Sequence, residues 1–470
     1  MDTRRWVPIV LTLGLVVAAC SPDSAGPPTT SVSTTQTTVS EGTTTTAGAT
    51  TSTVDATDTT ESGATEACFF LDGYVIVAQE DAEAAIAVGV EVEPAFISEV
   101  LGESEAAGEL EDNLELLSTG GNPPAVAVEL AEEAEIDASP VYAMGLAGHW
   151  KLKPGTDPIP RPGATIPAPT TTQGERIVAV VDSGIVDDPN LDDLPDWMSP
   201  EHVLYDNPED TETIGPTPAS HGTFVTSLIR QLAPEHRVAF AAVRPVDVAD
   251  IGANGERLPP GISYMSTELH VAEAIVRLTQ RSELEDGIVD ALNLSLGTYT
   301  CDPGEDPVLV ATTTALRLWF AKFPSSRLFA AGGNEEYNSP FWPAALSRYQ
   351  LDPGIDRASV GGVGALDQTM RQVVWGQGAA STAAVVPRLA PNRLWITDVA
   401  PGCDLLGLRG GLEAGGAPAV VAWSGSSFAT AVSAAMYAAG VPPTSVGPPV
   451  EFDYGAPNLK YESLGCDGTP

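Results

Sequence analysis

From about residue 176 onward the chain alternates mostly apolar runs with longer amphipathic stretches. The runs are IVAVV (177–181), VAFAAV (238–243), ALNLSLG (291–297), RLFAAGG (327–333) and RASVGGVGAL (357–366). Such runs suit strands buried on both faces of a parallel sheet. Between them, ELHVAEAIVRLTQ (268–280) spaces its apolar residues for one face of a helix, and HGTFVTSLIRQL (221–232) does so from Phe224. A further stretch, SGSSFATAVSAA (424–435), consists almost wholly of small residues. A helix built from them has little side chain for a core, but it can lie close to other backbone and bring its N-terminus to a defined point. Strand, loop and helix in repetition predict a doubly wound α/β domain over 176–445, a mostly parallel sheet with helices on both faces. Sites in such sheets form beyond the carboxyl ends of the strands.

The pattern before residue 176 is different. GYVIVAQ (73–79), AVAVEL (125–130) and PVYAMGLA (140–147) read as strands, and the acidic FISEVLGESEAAGELEDNLELL (96–117) reads as helical. They predict a small α/β unit over 66–150. Residues 151–175, rich in Pro and Thr from 154, read as an exposed linker. Residues 21–65 are Thr and Ser with scattered Gly, Pro and acid, a composition that cannot build a core and reads as a disordered stalk. Residues 446–470 form a C-terminal tail.

The first twenty residues read as an export signal. Arg4 and Arg5 precede an apolar run, Val7–Ala19, of 13 residues. That is shorter than the about 20 a spanning helix needs. The run ends VAAC, which resembles a bacterial lipobox and implies lipidation of Cys20. With Cys20 lipidated, four of the five cysteines remain: Cys68, Cys301, Cys403 and Cys466. Two disulfides in an oxidising compartment would use them all, in any of three pairings. These features predict an extracytoplasmic protein, secreted or held at the cell surface through the lipid alone. The formal charge of −41, with four lysines in 470 residues, argues against a nucleic-acid partner, whose binding needs a basic surface. It is read as a solvated, self-repelling surface.

Four polar residues fall at the predicted strand ends and helix starts. Asp182 follows IVAVV, His221 opens HGTFVTSLIRQL, Asn334 ends RLFAAGGN, and a serine stands at 426 and at 427. Taken singly, these are a cap, a surface histidine and a turn asparagine. Together they are the set that acyl transfer needs. A serine hydroxyl requires a base to remove its proton, histidine titrates in the right range, a buried carboxylate fixes the imidazole, and amide donors hold the oxyanion.

VAVVDSGI, HGTFVTSLI, ALNLSLG, FAAGGNE and SGSSFATA, in that order, resemble the motifs of subtilisin-like serine proteases, over about residues 176–440. FWPAAL (341–346) and DVAPGCDLL (398–406) also resemble segments of that family. The resemblance implies a subtilisin-like fold and a serine endopeptidase acting on polypeptides through an acyl-enzyme. It makes Asp182 the orienting acid, His221 the base, Ser427 the nucleophile and Asn334, with the Ser427 N–H, the oxyanion hole. Ser426 is read as shaping the turn and Gly425 as permitting it. Ser295, Leu296 and Gly297 would pair with an extended substrate. The family's frequent propeptide implies that residues 66–150 assist folding and block the cleft. No cofactor or metal is implied for catalysis, and the structural calcium sites of many members find no placeable counterpart.

The chain departs from the family in places. Ser426 stands for the usual Thr and Ala431 for a common Pro. Segments at 246–266 and 345–357 read as insertions, and 371–394 has no clear counterpart. The alternative is a catalytically silent, peptide-binding surface lipoprotein of the same fold. An α/β-hydrolase is disfavoured because Ala429 replaces the second glycine of its serine motif and every histidine precedes Ser427. Sedolisin-like peptidases are disfavoured by His221 and Asn334, where they carry acids.

Overall fold

The computed structural model describes residues 68–445 apart from 147–157, 167, 170–173, 186–193, 207–215, 247–249, 254–264, 286, 302–308, 335–339, 350–353, 367–372, 375–383, 386–394, 411–418 and 442–443. The signal, Cys20, the stalk and the C-terminal tail with Cys466 lie outside the described residues, as do about half of the linker and most of 371–394.

The first region runs β1 (Phe69–Ala78), α1 (Ala82–Ala87), β2 (Val92–Ala95), α2 (Ile97–Leu101), α3 (Glu105–Glu111), β3 (Leu114–Thr119), α4 (Pro123–Ala134) and β4 (Ala138–Leu146). Its strands are antiparallel, in the order β4-β1-β3-β2. Side chains alternate across the sheet as the pleat requires. Val75, Val77 and Leu117 pack with Ala85, Val126 and Leu130 of α1 and α4. Ile76, Leu114 and Leu116 face the other way, into the core that holds α2 and α3.

Two sequence readings fail in this region. AVAVEL lies in α4 and is not a strand. Its alternation is outweighed by prolines at the helix start, which set φ for a first turn, and Val126, Ala127 and Leu130 are buried on one helical side. The acidic stretch 96–117 is not one helix. Gly102, at φ 78°, ends α2, Ser104 caps α3 through a bond from Ala107 N–H at 3.0 Å, and LELL belongs to β3.

The rest of the chain runs β5 (Ile159–Pro160), β6 (Arg176–Asp182), β7 (Val203–Asp206), α5 (Pro216–Leu232), β8 (Arg237–Ala242), β9 (Ile251–Ala253), β10 (Met265–Thr267), α6 (Glu268–Gln280), β11 (Ile288–Leu294), β12 (Leu296–Tyr299) and α7 (Val310–Lys322). It continues with β13 (Arg327–Ala331), β14 (Phe341–Trp342), β15 (Val360–Leu366), β16 (Val373–Val374), β17 (Ala384–Val385), β18 (Asp398–Pro401), β19 (Leu405–Arg409), β20 (Ala419–Trp423), α8 (Ser426–Ala438) and β21 (Thr444–Ser445).

Seven parallel strands, in the order β18-β15-β13-β11-β6-β8-β7, form the central sheet, and β21 adds antiparallel beside β18. The five apolar runs are strands of this sheet, ALNLSLG continuing past it into β12. Their two-faced burial explains their composition. Ile177, Ala179 and Val181 of β6 meet α6 and α7 on one face. Val178 and Val180 meet α5 and α8 on the other. The fold is thus mixed α/β, with a parallel sheet between two helical layers.

A second sheet crosses the boundary that the sequence suggested near residue 150. β4 pairs antiparallel with β12 (Leu296↔Leu146, Gly297↔Gly145) and with β10 (Met265↔Gly145, Ser266↔Met144, Thr267↔Ala143). β1 pairs with β9, and β12 with β14. Cys68, just before β1, is disulfide-bonded to Cys301, just after β12. Cys403 is also disulfide-bonded. β9 lies within the predicted insertion at 246–266 and β10 begins at its end, so this segment supplies sheet strands.

Behind β4 lies a buried acid that the pattern of α6 did not reveal. Glu268 opens α6, and its Oε1 accepts from the Ser139 hydroxyl and the Tyr142 N–H, both at 3.3 Å. Backbone N–H groups of Ala311 and Thr312, at the start of α7, also point to it. Burial pushes its carboxyl up to about 8, against those hydrogen bonds, which favour the anion.

Candidate active site

Asp182 is the last residue of β6 and is 1% exposed. Its Oδ1 accepts from the Ser183 N–H at 2.7 Å, the Ser183 hydroxyl at 3.1 Å and His221 Nδ1 at 2.8 Å. Its Oδ2 has no hydrogen-bond partner among the described residues. His221 does not open its helix as the pattern suggested. α5 begins at Pro216, a full turn earlier, so the imidazole is carried within the helix. Gly222 brings that helix onto the loop after β6: a Cβ there would lie 2.2 Å from the Gly184 carbonyl oxygen. This close approach sets His221 on Asp182.

Aromatic rings enclose the imidazole. Trp423 meets it edge-on at 5.6 Å between centroids, and Phe428 lies at 5.2 Å. Phe224, one helical turn after His221, packs on both, at 5.5 and 4.6 Å. The sequence reading passed over this box. Its one signal was that Trp423 directly precedes the serine motif SGSSFATA and Phe428 lies within it.

Ser426 and Ser427 open α8, as the small-residue run suggested. Both are buried, and they differ in partners. The Ser426 hydroxyl has none among the described residues, so it does not shape the turn. The Ser426 N–H donates to Asn334 Oδ1 at 2.7 Å. That bond ties Asn334, three residues past β13, to the start of α8. The Ser427 hydroxyl donates to the Ser295 carbonyl at 3.0 Å, and the Ser295 hydroxyl donates to the Ser427 carbonyl at 2.7 Å. Among the described residues no hydrogen bond joins Ser427 to His221. The Ser427 N–H is second in its helix, where amides lack intrahelical acceptors and the macrodipole favours negative charge. Gly425 is extended (φ 170°), and a Cβ there would make ordinary contacts. Its expected turn role is therefore absent.

Asp182, His221, Asn334 and Ser427 thus gather at the carboxyl ends of β6 and β13 and at α5 and α8. Ser295, Leu296 and Gly297 lie beside them, where β12 pairs with β4. Among the described residues, no group of three His, Cys, Asp or Glu side chains is placed to hold a metal ion. No described helix is long and apolar enough to cross a membrane.

Fold and site together define an α/β protein with a buried Asp–His pair next to a helix-opening serine. No protein-family model matches the chain, and no curated protein matches it. Among solved structures, the self-cleaved protease domain of PatA is similar, at 21% identity and a TM-score of 0.34, over 57% of this chain and 80% of that one.

Proposed function

We propose that the chain is a subtilisin-like serine endopeptidase. The observation that carries this reading is the buried His221 Nδ1–Asp182 Oδ1 bond of 2.8 Å, set beside a serine at the start of α8. In the proposed reaction, Ser427 Oγ leaves the Ser295 carbonyl as substrate arrives and attacks the scissile carbonyl carbon. His221 Nε2 takes the hydroxyl proton. Asp182 holds Nδ1–H and stabilises the imidazolium. The Asn334 amide NH₂ and the Ser427 N–H receive the oxyanion, while Asn334 Oδ1 accepts from the Ser426 N–H. His221 then gives its proton to the leaving amine, and water, activated by the same base, releases the acyl group from Ser427.

The segment 66–150 acts in this reading as a propeptide. Its last strand, β4, lies between β10 and β12 where an extended substrate would pair. Cys20 carries the lipid of an exported, surface-anchored chain, which calls for no cofactor in catalysis and no nucleic-acid partner.

The test is labelling by a small fluorophosphonate of the processed wild type, Ser427→Ala and Ser426→Ala. Labelling of the wild type and Ser426→Ala, but not of Ser427→Ala, supports the reading. A second reading, a silent peptide-binding protein, is favoured by one feature, the Ser427 hydroxyl bonded to Ser295 and not to His221. Folded, processed wild type that resists the probe selects it.

A further inference from the structure

A pocket opens beside Ser427 and Asn334, and its walls include Gly297, Ala331, Gly333 and Phe341. A carbonyl placed for attack by Ser427, with its oxygen toward Asn334, must send the side chain on its acyl side into this space. The void is about 10 Å³, room for roughly one water molecule.

The walls are fixed by packing. Phe341 and Tyr299 are 5% and 4% exposed and meet edge-to-face at 4.9 Å. The ring of Phe341 is pressed on the backbone of Gly297, where a Cβ would lie 2.3 Å from Cε1. Gly333 is at φ 89°, and a Cβ there would come within 2.9 Å of the Tyr299 hydroxyl and 3.2 Å of Phe341 Cγ. Both walls are glycine backbone with aromatic rings directly behind, so neither ring can swing away without displacing a packed neighbour. The chain's own strand β4 places Gly145, which has no side chain, at the same pocket.

We infer that Phe341, backed by Tyr299, limits cleavage to peptide bonds preceded by glycine, alanine or serine. This rests on the endopeptidase reading above. It identifies a size filter, with Phe341 as the specificity-determining residue.

The experiment uses the processed chain, freed of the 66–150 segment by linker cleavage and reduction. A small fluorophosphonate first reports whether Ser427 is reactive. A peptide series then varies only the residue before the scissile bond: Gly, Ala, Ser, Val, Leu and Phe. The expected result is a labelled Ser427 and kcat/KM for Ala about 100-fold or more above that for Leu or Phe. Phe341→Val is expected to raise Leu turnover at least tenfold relative to Ala, and Phe341→Leu serves as the milder change should the first not fold. An unlabelled Ser427 overturns the endopeptidase reading, and the filter with it. A labelled Ser427 with Phe or Leu cut as fast as Ala overturns the filter alone. So does a labelled chain that leaves the Ala peptide intact, since the pocket must admit that side chain.

Discussion

Replacing Cys68 and Cys301 by serine removes a cross-link between the β1–β4 region and the parallel-sheet region. The two cysteines are 233 residues apart, and the loop-closure entropy of so long a loop is about 5 kcal/mol. Spread over the unfolding entropy of the compact unit 64–470, this lowers the melting temperature by about 6 °C. The larger consequence follows a cut in the linker. Between Arg5 and Lys151 the chain contains no lysine or arginine, and Lys151 is followed by leucine, so trypsin can open the chain there without touching β1–β4. In the wild type the fragment stays attached through Cys68–Cys301, and β4 remains beside β10 and β12 at high effective concentration. The assay is a denaturing gel of the trypsin-treated chain with and without reductant, beside the double serine variant. The expected outcome is one species that splits only on reduction, and a fragment free without reductant in the variant. Release of the fragment from the unreduced wild type would refute the reasoning, as would an unchanged melting temperature in the variant.

Four further outcomes are expected. Asp182→Asn loses the negative charge that fixes the His221 tautomer and stabilises its imidazolium, and should lower turnover about 10³–10⁴-fold in peptide kinetics, with the fold retained by circular dichroism. Gly222→Ala forces a Cβ onto the Gly184 carbonyl, which should destabilise the chain by about 1–3 kcal/mol in urea unfolding and also lower probe labelling of Ser427. Ser426→Ala removes a buried hydroxyl without a partner among the described residues, so its melting temperature should equal or exceed that of the wild type. Glu268, held up to about 8 in the fold against 4.5 outside it, keeps its proton in the folded state while the unfolded chain loses it. Its contribution is therefore complete below about pH 4.5 and is lost as pH rises to about 8. Wild-type melting temperature should fall from pH 6.5 to 8 more steeply than that of Glu268→Gln, and parallel slopes would remove Glu268 as the cause. That window excludes His270, which burial keeps neutral down to about 3 and whose own effect lies below 6.5.

The central sheet and the positions of the four site residues were legible because each is a local matter. A strand buried on both faces must be apolar throughout, so IVAVV and its counterparts announced themselves, and Asp182 and Asn334 stood at their ends. The small-residue helix announced its own start, and with it Ser427. Errors arose where local signals compete. AVAVEL alternates like a strand, yet two prolines and the burial of Val126 and Leu130 made it a helix. The helix carrying His221 begins a turn early, because PTPAS (216–220) has no apolar helical spacing to announce it.

The sequence by itself determined the α/β class, the run of parallel strands and the order of Asp182, His221, Asn334 and Ser427, since periodicity and motif order are properties of neighbouring residues. Tertiary structure alone decided what lies far apart along the chain. It chose Cys301 for Cys68, threaded β4 between β10 and β12, buried Glu268 against Ser139 and Tyr142, and set Phe341 behind Gly297. Each depends on contacts between distant segments, which no local pattern encodes, because any of several partners would satisfy the same hydrogen-bonding, packing or thiol chemistry.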